Sequence, residues 1–214
     1  NEESHNHNDI GHFVVYSDGK PLIVDIGVED YTSKTFGPDR YDIWTMNSSH
    51  HSLPTVNGEQ QLPGAEHKAT DVIFTDDQST ASFSCDIASA YPDAAGISRW
   101  KREIRFERGE RITVADTFEL SHSESIEMSA MTPCSVRGED GTVHLDEDGL
   151  DDGGKTASGR IQYDPSVFDI QLDTYPLAEV SFKRGNPWGE SLTRIRFVAK
   201  EVPTSGTSTL VITP

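Results

Sequence analysis

Short apolar, β-branched segments alternating with turn signals constrain this chain more than any other feature. Residues 12–16 lead into Ser17-Asp18-Gly19-Lys20 and then into residues 21–26, two extended runs around the Asp-Gly dipeptide that favours a tight hairpin. Comparable runs recur over residues 70–75, 80–87, 99–107, 111–120, 125–131, 159–163, 168–172, 192–200 and 208–212. No window of a dozen residues keeps apolar positions at helical spacing, and Gly, Pro, Asp and Ser interrupt the chain throughout. The pattern predicts an all-β fold, a large antiparallel β-sandwich of jelly-roll or super-sandwich type with almost no helix. At 214 residues a single domain over residues 1–214 is the simplest organisation.

Charge narrows the partners. A formal net charge of −18 argues against a broad nucleic-acid or anionic-membrane surface, because those partners require clustered Lys and Arg. An anionic polysaccharide would need a local basic patch or a metal ion. No apolar run approaches the roughly 20 residues of a membrane span, and the opening Asn1-Glu2-Glu3-Ser4 reads as that of a processed or excised piece. Cys85 and Cys134 fit either a disulfide or two buried thiols. The acidic tract over residues 145–154 reads as a solvated loop, since its spacing misses the EF-hand pattern.

Three segments carry the residues that could do chemistry. Ser4-His5-Asn6-His7-Asn8-Asp9-Ile10-Gly11-His12-Phe13 stands just before the first strand, and histidines two apart on an extended segment project to one side. Two such imidazoles can share a cation, although an exposed turn is the plainer alternative. In Pro21-Leu22-Ile23-Val24-Asp25-Ile26-Gly27 an acid interrupts an apolar run. That carboxylate either hydrogen-bonds the turn at Gly27 or serves as an oxygen ligand. The third segment, Asn47-Ser48-Ser49-His50-His51-Ser52, precedes a short strand and the Asn57-Gly58 turn. Two histidines, a carboxylate and a water would satisfy zinc or a similar ion.

The order of these segments resembles the heparinase II/III-like family of polysaccharide lyases. His5, His7, Asp9 and Phe13 fill a His-x-His-x-Asp…Phe opening, Asp25 and Gly27 an Asp-x-Gly strand end, and His51, in preference to His50, a Ser-x-x-His segment. Residues 99–120 resemble the later strand pair that runs through Asp116 and Phe118. Asn6 stands where the family often has Gly, and Ser52 where Asn commonly follows the motif histidine.

The resemblance implies a β-sandwich that follows an α/α toroid in the same polypeptide, with the active site in the cleft between them and this chain supplying only the sandwich. It implies β-elimination on a uronic-acid-containing polysaccharide in a periplasmic or secreted enzyme. His5 would face the cleft as a catalytic residue that helps with charge or proton transfer, while His7, Asp25 and His51 would hold a structural zinc. The tyrosine acid/base would come from the helical domain. Arg99, Lys101, Arg102, Arg105, Lys183, Arg184, Arg194 and Arg196 are basic candidates for a uronate subsite, with Arg99 and Arg102 foremost. Trp44, in a long polar loop, could stack on a sugar ring. A noncatalytic carbohydrate-binding or structural sandwich is the alternative. A self-contained cupin-like enzyme is disfavoured because no His-x-His-plus-Glu spacing occurs.

Overall fold

The structure is a computed structural model that describes residues 5–214. Fourteen strands and four short 3-10 turns follow one another, and no α-helix occurs among the described residues. In chain order the strands are β1 (Val15–Ser17), β2 (Lys20–Ile23), β3 (Pro54–Val56), β4 (Thr70–Asp76), β5 (Thr80–Asp86), β6 (Ile97–Glu107) and β7 (Arg111–Leu120). They continue as β8 (Ile126–Thr132), β9 (Ser135–Glu139), β10 (Thr142–Asp146), β11 (Gly159–Gln162), β12 (Phe168–Pro176), β13 (Ser191–Ala199) and β14 (Ser205–Thr213).

The opening hairpin forms as the Asp-Gly signal predicts. Asp18 and Gly19 adopt φ of 48° and 76°, the positive pair that matches the twist of flanking strands. Asn57 and Gly58 repeat that geometry after β3, with φ of 54° and 77°. Strands β9 and β10 were not anticipated. They form a hairpin around Asp140-Gly141, with Glu139 opposite Thr142, and their brevity and charge weaken the alternation that marks a half-buried strand.

Eight strands build one antiparallel sheet in the order β4-β5-β6-β7-β14-β11-β10-β9, and four build a second, β12-β13-β8-β3. Val114, Phe118, Leu210 and Ile212 from the first meet Ile126, Met128, Ile195 and Phe197 from the second in one apolar cluster. This is the sandwich that the alternating pattern predicts. Strand β8 is covered on both faces. Ile126, Met128 and Ala130 face that cluster, whereas Met131 joins Val24, Ile26, Leu177, Phe182 and Leu192 in a second one.

That second cluster positions the functional segment. The chain leaving β2 runs along the edge of β8, with the Val24 amide donating to the Met131 carbonyl at 2.9 Å and the Thr132 hydroxyl donating to the Leu22 carbonyl at 2.7 Å. Val24 and Ile26 are fully buried, so the extended backbone turns Asp25, which lies between them, to the opposite side. Cys85 and Cys134 are both buried and free. The acidic loop after β10 is drawn in by Lys20 and Lys155 on Glu147 and by Ser135 on Asp148.

Candidate metal centre

Three chain segments converge on one point. The His7 segment is held by Gln61, a side chain 3 % exposed whose Nε2 donates to the Ile10 carbonyl at 2.8 Å while its Oε1 accepts from the Ile10 amide at 2.9 Å. The paired contact reproduces what a neighbouring strand would offer an unpaired backbone. The Asn8 amide donates to the Met46 carbonyl at 3.0 Å, which ties the same segment to the loop that carries His51. The 3-10 turn Ser48–His50 then delivers His51, fully buried, beneath it.

Asp25 meets both histidines. Its Oδ2 lies 3.3 Å from His51 Nε2 and 3.7 Å from His7 Nδ1, and those two nitrogens are 3.0 Å apart. Asp9 completes the group, with one ligand atom from each of His7, Asp9, Asp25 and His51 lying within 4.8 Å of the others. The turn reading of Asp25 holds. Its Oδ1 accepts from the Gly27 amide at 2.7 Å, which leaves Oδ2 for the histidines. Burial alone would raise the Asp25 carboxyl, but hydrogen bonds from His51 and His7 in their imidazolium forms outweigh it and keep the group well below the usual carboxylate range. Asp9 moves the other way, because burial pushes its carboxyl up against the pull of His51 and His7.

Hydrogen bonds outside the cluster fix the histidine tautomers. His51 Nδ1 lies 3.0 Å from the Asn47 carbonyl, which can only accept, so the neutral ring carries its proton there and turns the Nε2 lone pair toward Asp25 and His7. His12 is arranged oppositely. The Ser52 amide donates to its Nδ1 at 2.9 Å, so its proton sits on Nε2, 3.7 Å from Asp25 Oδ2. His12 therefore turns a proton rather than a lone pair toward the cluster, and at this distance it makes no hydrogen bond to Asp25. Burial, reinforced by neighbouring His51, keeps this ring neutral with its pKa pushed down to about 3.

The structure separates the adjacent histidines of the third segment. His51 enters the cluster, whereas His50 turns to Asn47 Oδ1 at 3.0 Å and the Tyr175 hydroxyl at 3.2 Å. His5 is exposed and outside the four-residue group. Its Nδ1 is 3.1 Å from the Tyr31 hydroxyl, and its ring meets Phe36 edge-on.

The substrate candidates separate too. Arg102 is 1 % exposed, which corrects its reading as a surface contact for a polymer. Its Nε and Nη2 donate to Asp116 at 2.9 and 2.8 Å, and its Nη1 donates to the carbonyls of Gly11 and Ser52 at 3.0 and 2.6 Å. It thus clamps the two histidine-bearing segments together, one residue from His12 and one from His51. Strand alternation was the available signal, since Arg102 shares the inward face of β6 with fully buried Trp100. Arg99, on the outward face, is exposed and 3.7 Å from Asp86, with no ion pair to the cluster among the described residues. Trp44 is half-buried rather than free in its loop, stacked on Tyr175 with ring centroids 5.3 Å apart and packed on the second apolar cluster. The sequence marks Asp9 as part of a motif rather than as a ligand, and it carries no local signal for the parts played by His12 and Gln61.

Two lone pairs from imidazole and two carboxylates suit a zinc-like divalent cation, and each of the two imidazole-bearing segments is oriented from outside the cluster. Comparison with known proteins places the chain in a family. The chain resembles a heparan sulfate lyase, HepC, from Pedobacter heparinus, with a TM-score of 0.68 and 16 % identity over 98 % of this chain and 31 % of that one. A heparinase III, the BT4657 gene product with methylated lysines, gives 0.71 at 15 % identity over 97 % and 30 %. A further heparinase III structure gives 0.64 at 14 % identity over 97 % and 29 %. The chain thus spans about a third of the length of these structures, and at such identities the likeness is one of fold. No curated protein matches. Residues 1–174 match the family described as Heparinase II/III-like, C-terminal, and the chain belongs to that family.

Proposed function

We propose that this domain forms one wall of the catalytic cleft of a polysaccharide lyase, with His7, Asp25, His51 and Asp9 holding a structural zinc and His5 facing the substrate. One observation carries the reading: donor atoms from three distant segments meet at a point, and the tautomer of the deepest ligand is fixed by a backbone carbonyl. A bound cation would offset the mutual repulsion of the two carboxylates and lock the three segments to one another. His5 lies next to the His7 segment yet is exposed, so the cluster could hold its backbone while its ring remained free to meet a ligand.

The reaction proposed for the whole enzyme is β-elimination. A base removes the proton from the carbon α to the uronate carboxylate, a carbon–carbon double bond forms toward the neighbouring carbon, and the glycosidic oxygen leaves that carbon and takes up a proton. His5 is suited to one task within it, a hydrogen bond or proton at the uronate, because its Nδ1 is already engaged by a hydroxyl.

Metal content of the purified chain by plasma mass spectrometry tests the site. Near-stoichiometric zinc that is lost in His7→Ala and Asp25→Ala supports it, and metal-free protein with unchanged melting in both variants refutes it. In the full-length enzyme, His5→Ala should retain the metal while sharply reducing formation of unsaturated uronate, read by ultraviolet absorbance. Unchanged turnover in His5→Ala would refute the assignment of His5.

A further inference from the structure

The chain continues from Asp25 through Gly27 and Val28 to Tyr31, and opposite this stretch lie residues 182–187. Between them is a cleft of about 490 Å³, lined among others by Gly27, Tyr31, Phe182, Lys183, Arg184 and Pro187. Its floor is anchored to the sandwich, since Phe182 is buried in the second apolar cluster. The Lys183 amide donates to the Val28 carbonyl at 3.0 Å, and Glu29 pairs with Phe182 in an isolated bridge.

The charge of this cleft is opposite to that of the molecule. In a chain of net charge −18, Lys183 and Arg184 stand side by side and exposed, and neither lies within 4 Å of a carboxylate among the described residues, whereas other exposed cations such as Arg108, Arg111, Arg137 and Lys155 do. Lys183 is also held in place. Its Nζ sits 3.5 Å from the centroid of the Tyr31 ring, a cation–π contact that orients the ammonium without neutralising it. The hydroxyl of the same tyrosine reaches His5.

We propose that this cleft is a subsite for an acidic sugar residue, with Lys183 and Arg184 meeting its carboxylate or sulfate and the apolar faces of Val28, Phe182 and Pro187 meeting its ring. Tyr31 links the subsite to His5, so a chain seated here runs on toward the residue proposed to face the scissile unit. The inference rests on the lyase reading for the identity of its ligand. Its own support is two unneutralised cations placed over an apolar-walled cleft, next to the carboxylate segment that joins the metal cluster.

Titration of the full chain with three probes tests it: a heparan sulfate hexasaccharide, its desulfated counterpart and neutral cellohexaose. The expected result is binding of both acidic probes but not cellohexaose, weakened at least tenfold by Lys183→Gln with Arg184→Gln and unchanged by Arg137→Gln. Binding of only the sulfated probe by the unmodified chain assigns the cations to sulfate, and binding of both acidic probes assigns them to the shared carboxylate. Equal weakening by Arg137→Gln, an unaffected double variant, or no binding of either acidic probe overturns the subsite. Metal content measured on the same preparations separates this failure from that of the metal centre, because Lys183 and Arg184 contact none of its ligands.

Discussion

Arg102 is the residue on which the site's geometry most depends without touching a ligand. Its guanidinium uses one edge on the buried carboxylate of Asp116 and Nη1 on the carbonyls of Gly11 and Ser52. Five donors in a rigid fork make that division possible, and a lysine could not reproduce it. Removing one partner of a buried ion pair strands the other charge. Arg102→Met should therefore cost roughly 3–5 kcal/mol in urea unfolding, and adding Asp116→Leu should recover a large part of that loss. The two backbone ties would remain broken in the double variant, so recovery should be incomplete. Loss of less than about 1 kcal/mol in Arg102→Met would contradict the clamp.

At the scale of elements, the two edges of the eight-stranded sheet are treated differently. Strand β9 ends the sheet with Arg137, which pairs with both Asp146 and Glu139, the kind of charged edge that discourages pairing with another chain. Strand β4 ends it with Val72, Ile73 and Phe74, which are 57, 57 and 65 % exposed. Its one interruption is a register shift near Asp71, which adopts φ of 49° and twists the start of the edge away. An exposed apolar edge of this kind promotes association. Phe74→Lys should raise the concentration at which the chain stays monomeric by light scattering, with a melting temperature within about 2 °C of the parent because little buried surface is lost. A large fall in melting temperature would mean that Phe74 packs more tightly than its exposure indicates.

For the whole molecule, the last two strands matter most although they lie beyond the 174 residues that match the family. Strand β13 sits inside the four-stranded sheet between β12 and β8, and β14 sits inside the eight-stranded sheet between β7 and β11. A chain ending at residue 174 would leave both sheets split, with backbone donors and acceptors unpaired along four strands. Such a truncation should lose cooperative unfolding altogether and accumulate as aggregate, read by circular dichroism and size exclusion. A folded, cooperative 1–174 fragment would show that each half-sheet can close without its centre.

The division between what could be read from the chain and what required its folding follows from the range of each interaction. Strand periodicity and positive-φ turns are local. They made the sandwich, the Asp18-Gly19 hairpin and most strand positions legible from residues a few places apart, and motif order made His7, Asp25 and His51 legible as a set. Folding decided which histidine of the His50-His51 pair turns inward, because the 3-10 turn at residues 48–50 sets the direction of the next side chain. It also brought Asp9 into the group and turned the His12 Nε2 proton toward the cluster, since a tautomer depends on a partner forty residues away at Ser52. Arg102 lay between the two cases. Its inward face follows from the two-residue period of β6, but only the packed sandwich supplies Asp116 and the two carbonyls that allow a guanidinium to be buried there.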